Sequence, residues 1–332
     1  MEERFSDLTN EDTLLQTELS QQVGQREGEP EHNRQAVVAD LLLLITALVW
    51  GFGFVAQRAG MEHVGPFTFN GIRFLLGGIC LLPLTLDRKS DVAGQDGTPL
   101  VSPLMAGSIA GLVLFAGATL QQVGLLWTTA GKAGFITGLY VIFVPLLGLF
   151  FGQKTGGGTW LGALLATAGM YLLSVRGGFI MERGDLLVLI GAVFWAVHVL
   201  VLGHFSPRTR TLRLAVIQFL CCGLLSLAVA IFLEEITWPA VRAALVPILY
   251  GGLGSVGIGY TLQTVAQKWA HPAHASILLS LEAVFAALGG WWLLDEKLSP
   301  RALLGCALML GGMIVSQVQP FQYQKTAARV AK

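Results

Sequence analysis

"SILLSLEAVFAALGGWWLL" runs from Ser276 to Leu294 and carries a single charged residue, Glu282. A helix needs about 20 mostly apolar residues to cross the hydrocarbon core of a bilayer, and this run supplies nearly that. A carboxylate inside such a run is costly, so it faces a partner, a cavity or a transport pathway. The stretch reads as a membrane-spanning helix with an acid held inside it. What the acid is for depends on the rest of the chain.

Of 332 residues, 54% are hydrophobic and only 13% are charged. Soluble domains carry roughly 25% charged residues, so the apolar surface here needs a lipid surround. Scanning at spanning length gives ten spans. The first five are Asp40–Val55, Phe67–Leu86, Leu104–Leu126, Ala133–Phe151 and Trp160–Val175. The second five are Leu186–Leu202, Leu214–Leu233, Val246–Val265, Ala275–Leu294 and Ala302–Val318. The polar, acidic residues 1–39 read as a disordered tail, and 319–332 form a second, shorter one. Asp87–Ser102 is a polar loop.

Lys and Arg number 21, as do Asp and Glu, and no basic stripe offers a footprint for nucleic acid. Cys80, Cys221, Cys222 and Cys306 fall inside apolar runs, where cysteine serves as a small core residue. No metal-binding spacing, cofactor motif or cleavable signal peptide is present, so no cofactor is expected. "GLGSVG" (Gly252–Gly257) spells the dinucleotide fingerprint, but that motif works only between a strand and a helix. Here it lies in an apolar span and reads as packing glycine, as do Gly107/Gly111, Gly134/Gly138 and Gly148/Gly152.

The chain repeats itself. "DLLLLITALVW" from Asp40 matches "DLLVLIGAVFW" from Asp185, 145 residues on. "IRFL" at Ile72 matches "IQFL" at Ile217 at the same spacing, and "TLQQVGLLW" from Thr119 matches "TLQTVAQKW" from Thr261, 142 on. Lys154 stands over Lys297, and Gly169-Met170 over Gly312-Met313, at 143. Ordered matches at near-constant spacing mark an internal duplication. Residues 40–176 form the first repeat and 184–318 the second. Each has an odd number of spans, so the second copy must enter the membrane inverted, a recurring transporter design. The excess of Lys and Arg, among them Arg88, Lys89, Lys154, Arg208, Arg210 and Arg213, orients both termini to the cytoplasm.

With Trp50-Gly51-Phe54 in the first span, Arg73-Phe74 in the second and "SLEAVFAALGGWWLLDEKLS" closing the ninth, the chain resembles the ten-helix EamA-like branch of the drug/metabolite transporter superfamily. The resemblance covers Asp40 to Val318. It implies a transporter of small metabolites, often exporting amino acids or related compounds, without ATP hydrolysis. Two positions depart from the family pattern. Gly152-Gln153 replaces a Gly-Glu, although Asp295-Glu296 keeps its acid. Ala283 replaces the Pro of a Leu-Glu-Pro, so the ninth helix is expected to be less kinked.

Residues mirrored in both repeats favour scaffold roles, and unmatched polar residues favour an asymmetric task. Asp40 and Asp185 match and read as helix caps. Trp50 and Trp195 match and either pack or line a cavity. Gln121 and Gln263 match and read as interhelical hydrogen-bonding groups. Arg73, over Gln218, either clasps a structural partner or binds a substrate carboxylate. Lys132, over Ala275, meets an anionic group or reaches for the headgroups. Glu282, over Leu139, and His198 both fall in the cytoplasmic half, where Glu282 carries a proton, holds a substrate amine or is fixed to a helix partner, and His198 could share the proton.

The expected molecule is an all-helical polytopic membrane protein, a secondary transporter of the inner membrane. Trp50, Arg73, Lys132, Tyr140, Trp195, His198, Gln263 and Glu282 are expected to line its pathway. Its expected partners are a small-molecule metabolite, the bilayer, protons and a second copy of the chain. A phosphorylated- or nucleotide-sugar exchanger would need more Lys and Arg at the cavity, an intramembrane enzyme would need paired catalytic groups, and a membrane scaffold is the third alternative.

Overall fold

The computed structural model describes residues 34–85, 101–128, 130–175, 181–293 and 299–330. Residues 1–33 of the expected tail, most of the Asp87–Ser102 loop and the Asp295-Glu296 pair lie outside the described residues. Every described element is helical. Among the described residues, seven helical segments are long and apolar enough to cross a membrane. Three shorter apolar segments, Gly157–Leu173, Pro272–Phe285 and Pro300–Ser316, accompany them. Polarity is inverted relative to a water-soluble fold: Phe150, Phe232 and Val246 are exposed, whereas Arg73, Gln121, Gln263 and Glu282 are buried. Only a lipid surround makes that arrangement favourable.

Helix α1 (34–51) and helix α2 (Gly53–Gly60) share the first segment. The helix is already formed at residue 34, six positions ahead of Asp40, so Asp40 is not the cap expected of it. Helices α3 (Pro66–Leu81) and α4 (Pro103–Gly124) follow, each opened by a proline in its first turn, where no N–H is needed. The fourth segment is split into α5 (Ala130–Gly138) and α6 (Tyr140–Phe150), and α7 (Gly157–Ser174) ends this half.

Helices α8 (Arg183–Phe205) and α9 (Thr211–Leu233) come next. After the short α10 (Trp238–Ala243), one segment comprises α11 (Leu245–Leu249), a π-helix (Tyr250–Tyr260) and α12 (Thr261–Ala266). A second split segment forms α13 (Pro272–Ser280) and α14 (Glu282–Leu293), and α15 (Pro300–Val330) closes the described chain.

The segment is split just before Glu282 although it holds no proline after Pro272. Ser280 Oγ donates to Ile277 O at 2.8 Å, and the Leu281 N–H bonds three residues back, to Leu278 O. A serine hydroxyl competing for the backbone carbonyls tightens the turn without proline. The matching split occurs at Leu139, whose N–H bonds Ile136 O. Leu139 and Leu281 are 142 residues apart, so the structure sets Glu282 over Tyr140 and Lys132 over His274. Aligning the spans through Lys154 and Lys297 had put each one position off.

Helix α6 ends in a Schellman turn. Gly152 adopts φ 72°, its N–H bonds Leu149 O, and the Gln153 N–H returns to Gly148 O at 2.9 Å. A left-handed residue is needed there and glycine supplies it without a Cβ penalty. Gly152 is therefore a turn glycine and not the packing glycine expected. Gly107 and Gly111 do pack, closely against Ile217 and Cys221 of α9.

Helix α7 packs along α15, α3 along α9, and α4 against α8 and α9. The closest approaches come in related pairs. A Cβ on Gly162 would fall 2.6 Å from Gly312 O, and one on Gly305 would fall 2.6 Å from Gly169 O. Likewise Gly78 abuts Leu220 of α9, while Gly223 of α9 abuts Leu75. One buried cluster centres on Phe74, Trp195, Phe219 and Tyr260, where helices from both halves meet.

Candidate functional site

Trp50, near the end of α1, donates from Nε1 to Ser255 O at 3.2 Å, and its ring lies 4.5 Å from that of Tyr260. The π-helix makes room for it: a Cβ on Gly259 would fall 2.5 Å from Trp50 Nε1. Tyr260 is the hub of an aromatic cluster. It stacks on Trp195 at 5.9 Å and 26°, and meets Phe74 at 5.8 Å and Phe219 at 6.1 Å. π-Helical turns recur at functional sites because they reposition side chains that an α-helix would turn away.

Of these rings, Trp50, Trp195 and Tyr260 wall a cavity of about 490 Å³, the open space at its mouth included. Arg73 lines it from α3 and is 2% exposed. Its Nε donates to Asn70 Oδ1 at 3.0 Å, and the guanidinium lies 4.7 Å from the Phe74 ring centre and 5.5 Å from that of Phe69. Asn70 is itself fixed, donating from Nδ2 to Ala118 O at 3.1 Å.

On other walls stand Tyr140, at the start of α6, Gln263 of α12, and Glu282, at the start of α14. All three are buried, and Tyr140 Oη, Gln263 Oε1 and Glu282 Oε1 have no hydrogen-bond partner among the described residues. Buried polar groups are nearly always paired, so these three atoms, on residues lining one cavity, are available to a polar ligand there.

Gln121 behaves differently from its counterpart Gln263. It donates to Gln57 Oε1 at 3.1 Å and accepts from Trp195 Nε1 at 2.8 Å, with Thr137 Oγ1 at 3.4 Å. It is the structural clasp expected of it, and it also lines the cavity.

Six of the eight expected pathway residues line this cavity: Trp50, Arg73, Tyr140, Trp195, Gln263 and Glu282. His198 stands elsewhere. It bonds Gln218 Oε1 through Nε2 at 2.9 Å and meets Trp195 edge-on, with Gln218 continuing to Thr264. Lys132 stands at the end of its segment, 3.3 Å from Glu182 and 3.5 Å from Asp185, so the anions it meets are its own chain's. Asp185 also accepts from Thr128 Oγ1 and from the Glu182 N–H, completing a capping box at the start of α8.

Tyr260 and Asn70 were not singled out by sequence reading. The signal for Tyr260 was the glycine run before it, which leaves one large side chain at the end of a bare helix face. Nothing comparable marks Asn70.

Comparison with known proteins agrees with this architecture. A crystal structure of another protein superposes with a TM-score of 0.72 over 86% of this chain and 98% of the other. The two share 23% identity, so the likeness is one of fold. An uncharacterized transporter of Archaeoglobus fulgidus is 31% identical over 83% of this chain and 85% of its own length. The uncharacterized transporter YwfM of Bacillus subtilis is 28% identical over 87% and 97%. The uncharacterized inner membrane transporter YedA of Escherichia coli is 30% identical over 45% and 48%. The family model of the EamA-like transporters matches twice, at residues 37–175 and 182–317. The chain is a multi-pass membrane protein and belongs to the EamA-like transporter family.

Proposed function

We propose that the protein is a secondary active transporter that exports small metabolites, amino acids or related compounds, by alternating access around the aromatic cavity. Ten spans carry the cycle, the three shorter apolar segments completing the seven longer ones, in two inverted repeats with both termini cytoplasmic. Support for the inverted arrangement comes from the paired close approaches. Gly162 and Gly305 occupy equivalent repeat positions, as do Gly169 and Gly312, so exchanging the repeats turns the Gly162–Gly312 contact into the Gly305–Gly169 contact. The Gly78–Leu220 and Gly223–Leu75 contacts exchange in the same way.

The observation that carries the transport reading is the cavity itself. Its walls come from both repeats and hold buried polar atoms with nothing to bond. Glu282 is the acid proposed to couple the cycle, carrying a proton or holding the substrate's amine in exchange for it. Efflux of an amino-acid pool from proteoliposomes under an imposed pH gradient tests this, with Glu282→Gln beside the wild type. Selective efflux that the variant loses is the expected result. Undiminished gradient-driven efflux in Glu282→Gln removes Glu282 from the coupling, and no efflux in folded wild type removes amino acids from the substrate class.

The phosphate-exchanger alternative is weakened by Lys132. Held by Glu182 and Asp185, it leaves Arg73 as the one Lys or Arg among the described residues lining the cavity.

A further inference from the structure

Arg73 is the least accounted-for group in the molecule. It is buried, yet it makes no ion pair among the described residues, and its sole hydrogen bond there is the one from Nε to Asn70. A guanidinium needs an anion or several carbonyls when water is removed from it. With Nε taken, the donors left for the cavity are the two Nη groups, a planar fork that matches a carboxylate edge. The Phe69 and Phe74 rings flank the guanidinium, and Asn70, anchored on Ala118 O, fixes its rotation.

We propose that Arg73 is the receptor for the carboxylate of a small monocarboxylate substrate, amino acids included, and that Asn70 is its positioning residue. This rests on the transporter reading above and assigns one pole of the ligand. The cavity's charge selects that ligand class. One guanidinium balances a single negative charge, and the Glu282 carboxylate on another wall of the cavity opposes a second, so a phosphate dianion is poorly matched. The unpaired Glu282 Oε1, Tyr140 Oη and Gln263 Oε1 are then left to a donor elsewhere on the ligand.

The test is calorimetric titration of the purified full-length protein with a panel of L-amino acids, each beside its primary amide and its decarboxylated amine, and with inorganic phosphate. In the wild type each acid that binds should do so at least about tenfold more tightly than its amide, since the amide forfeits a charge-assisted pair. Arg73→Lys keeps the charge but loses the fork, and should bring the acids down toward their amides. Asn70→Ala should weaken the acids while leaving amide affinity unchanged, and in transport should raise KM with little change in kcat. A general packing defect would not discriminate between acid and amide.

The wild-type series needs no variant to fold. Equal affinity for acid and amide, tighter binding of phosphate than of any acid, or no binding by any acid would overturn the assignment. Carboxylate-selective binding by a protein that moves nothing in liposomes would instead sink the transport reading and leave Arg73 in place. Amino-acid efflux indifferent to the carboxylate would do the reverse.

Discussion

His274 Nε2 lies 2.9 Å from Asp40 Oδ1, tying α13 to α1 across the two halves of the chain. Lys132 and Asp185 form the corresponding link between α5 and α8. Lys132 matches His274 at a spacing of 142, and Asp40 matches Asp185 at 145, so one connection to an aspartate has been built twice with different partner side chains. The two are embedded differently. The Asp185 side chain is fully buried and also holds Thr128 and the Glu182 N–H, whereas Asp40 and His274 side chains keep 23% and 17% of their exposure.

Asp185→Ala should therefore destabilise the protein by about 1–3 kcal/mol, because it strands buried donors. Asp40→Ala should cost about 1 kcal/mol or less, as partly exposed pairs do. Thermal melting of the two variants in detergent checks the order. Equal losses would mean that the capping box at Asp185 contributes nothing beyond the ion pair.

The matched glutamines separate stability from function in the same way. Gln121→Ala orphans Trp195 Nε1 and a partner on Gln57, so it should lower stability by about 1–3 kcal/mol. Gln263→Ala removes an oxygen that has no partner, and should leave the melting temperature nearly unchanged while raising the KM for substrate. If Gln263→Ala melts as early as Gln121→Ala, its amide is a clasp and not a ligand contact.

Much of this fold is legible in the sequence, because apolar runs of spanning length and duplicated segments survive without any tertiary information. The helix splits at Leu139 and Leu281 are not legible, since leucine is a good helix former and the splits depend on local carbonyl competition such as that of Ser280. The π-helix is equally hidden, because its glycines carry no periodic signal. For the site, sequence gives depth along a helix but not direction around it. Glu282 and His198 were placed at similar depths, yet Glu282 faces the cavity and His198 faces Gln218. Lys132 does meet anionic groups, one of its two readings, but sequence does not show that these are Glu182 and Asp185, 50 and 53 residues further along the chain.

The α7–α15 crossing admits no side chain at its centre. A Cβ on Gly169 would lie 2.5 Å from Gly305 O, which is backbone and cannot swing aside. Gly169→Val should force the helices apart and cost on the order of 1–3 kcal/mol by overpacking. Gly311→Val on the same α15 has nothing within 4 Å of the new Cβ and should leave stability nearly unchanged. The ratio of folded to aggregated protein on size-exclusion chromatography after mild heating distinguishes them. Similar behaviour of the two variants would show that this close approach is not required.

Tyr140 and Glu282 occupy matching positions, each the first residue after a helix split, and each carries a buried oxygen without a partner. An unpaired buried hydroxyl is a cost to the empty fold, and removing it can be neutral or stabilising. Tyr140→Phe deletes only that oxygen and keeps the ring that fills the wall, so it should melt at or slightly above the wild-type temperature. Transport should move the other way, with KM rising several-fold as a substrate hydrogen bond worth about 0.5–1.5 kcal/mol is lost. Stability held or gained together with function lost is the signature of a group kept for its ligand. A Tyr140→Phe variant that melts several degrees early with unchanged KM would show instead that the hydroxyl is bonded within the protein. Tyr140 would then join Gln121 among the clasps.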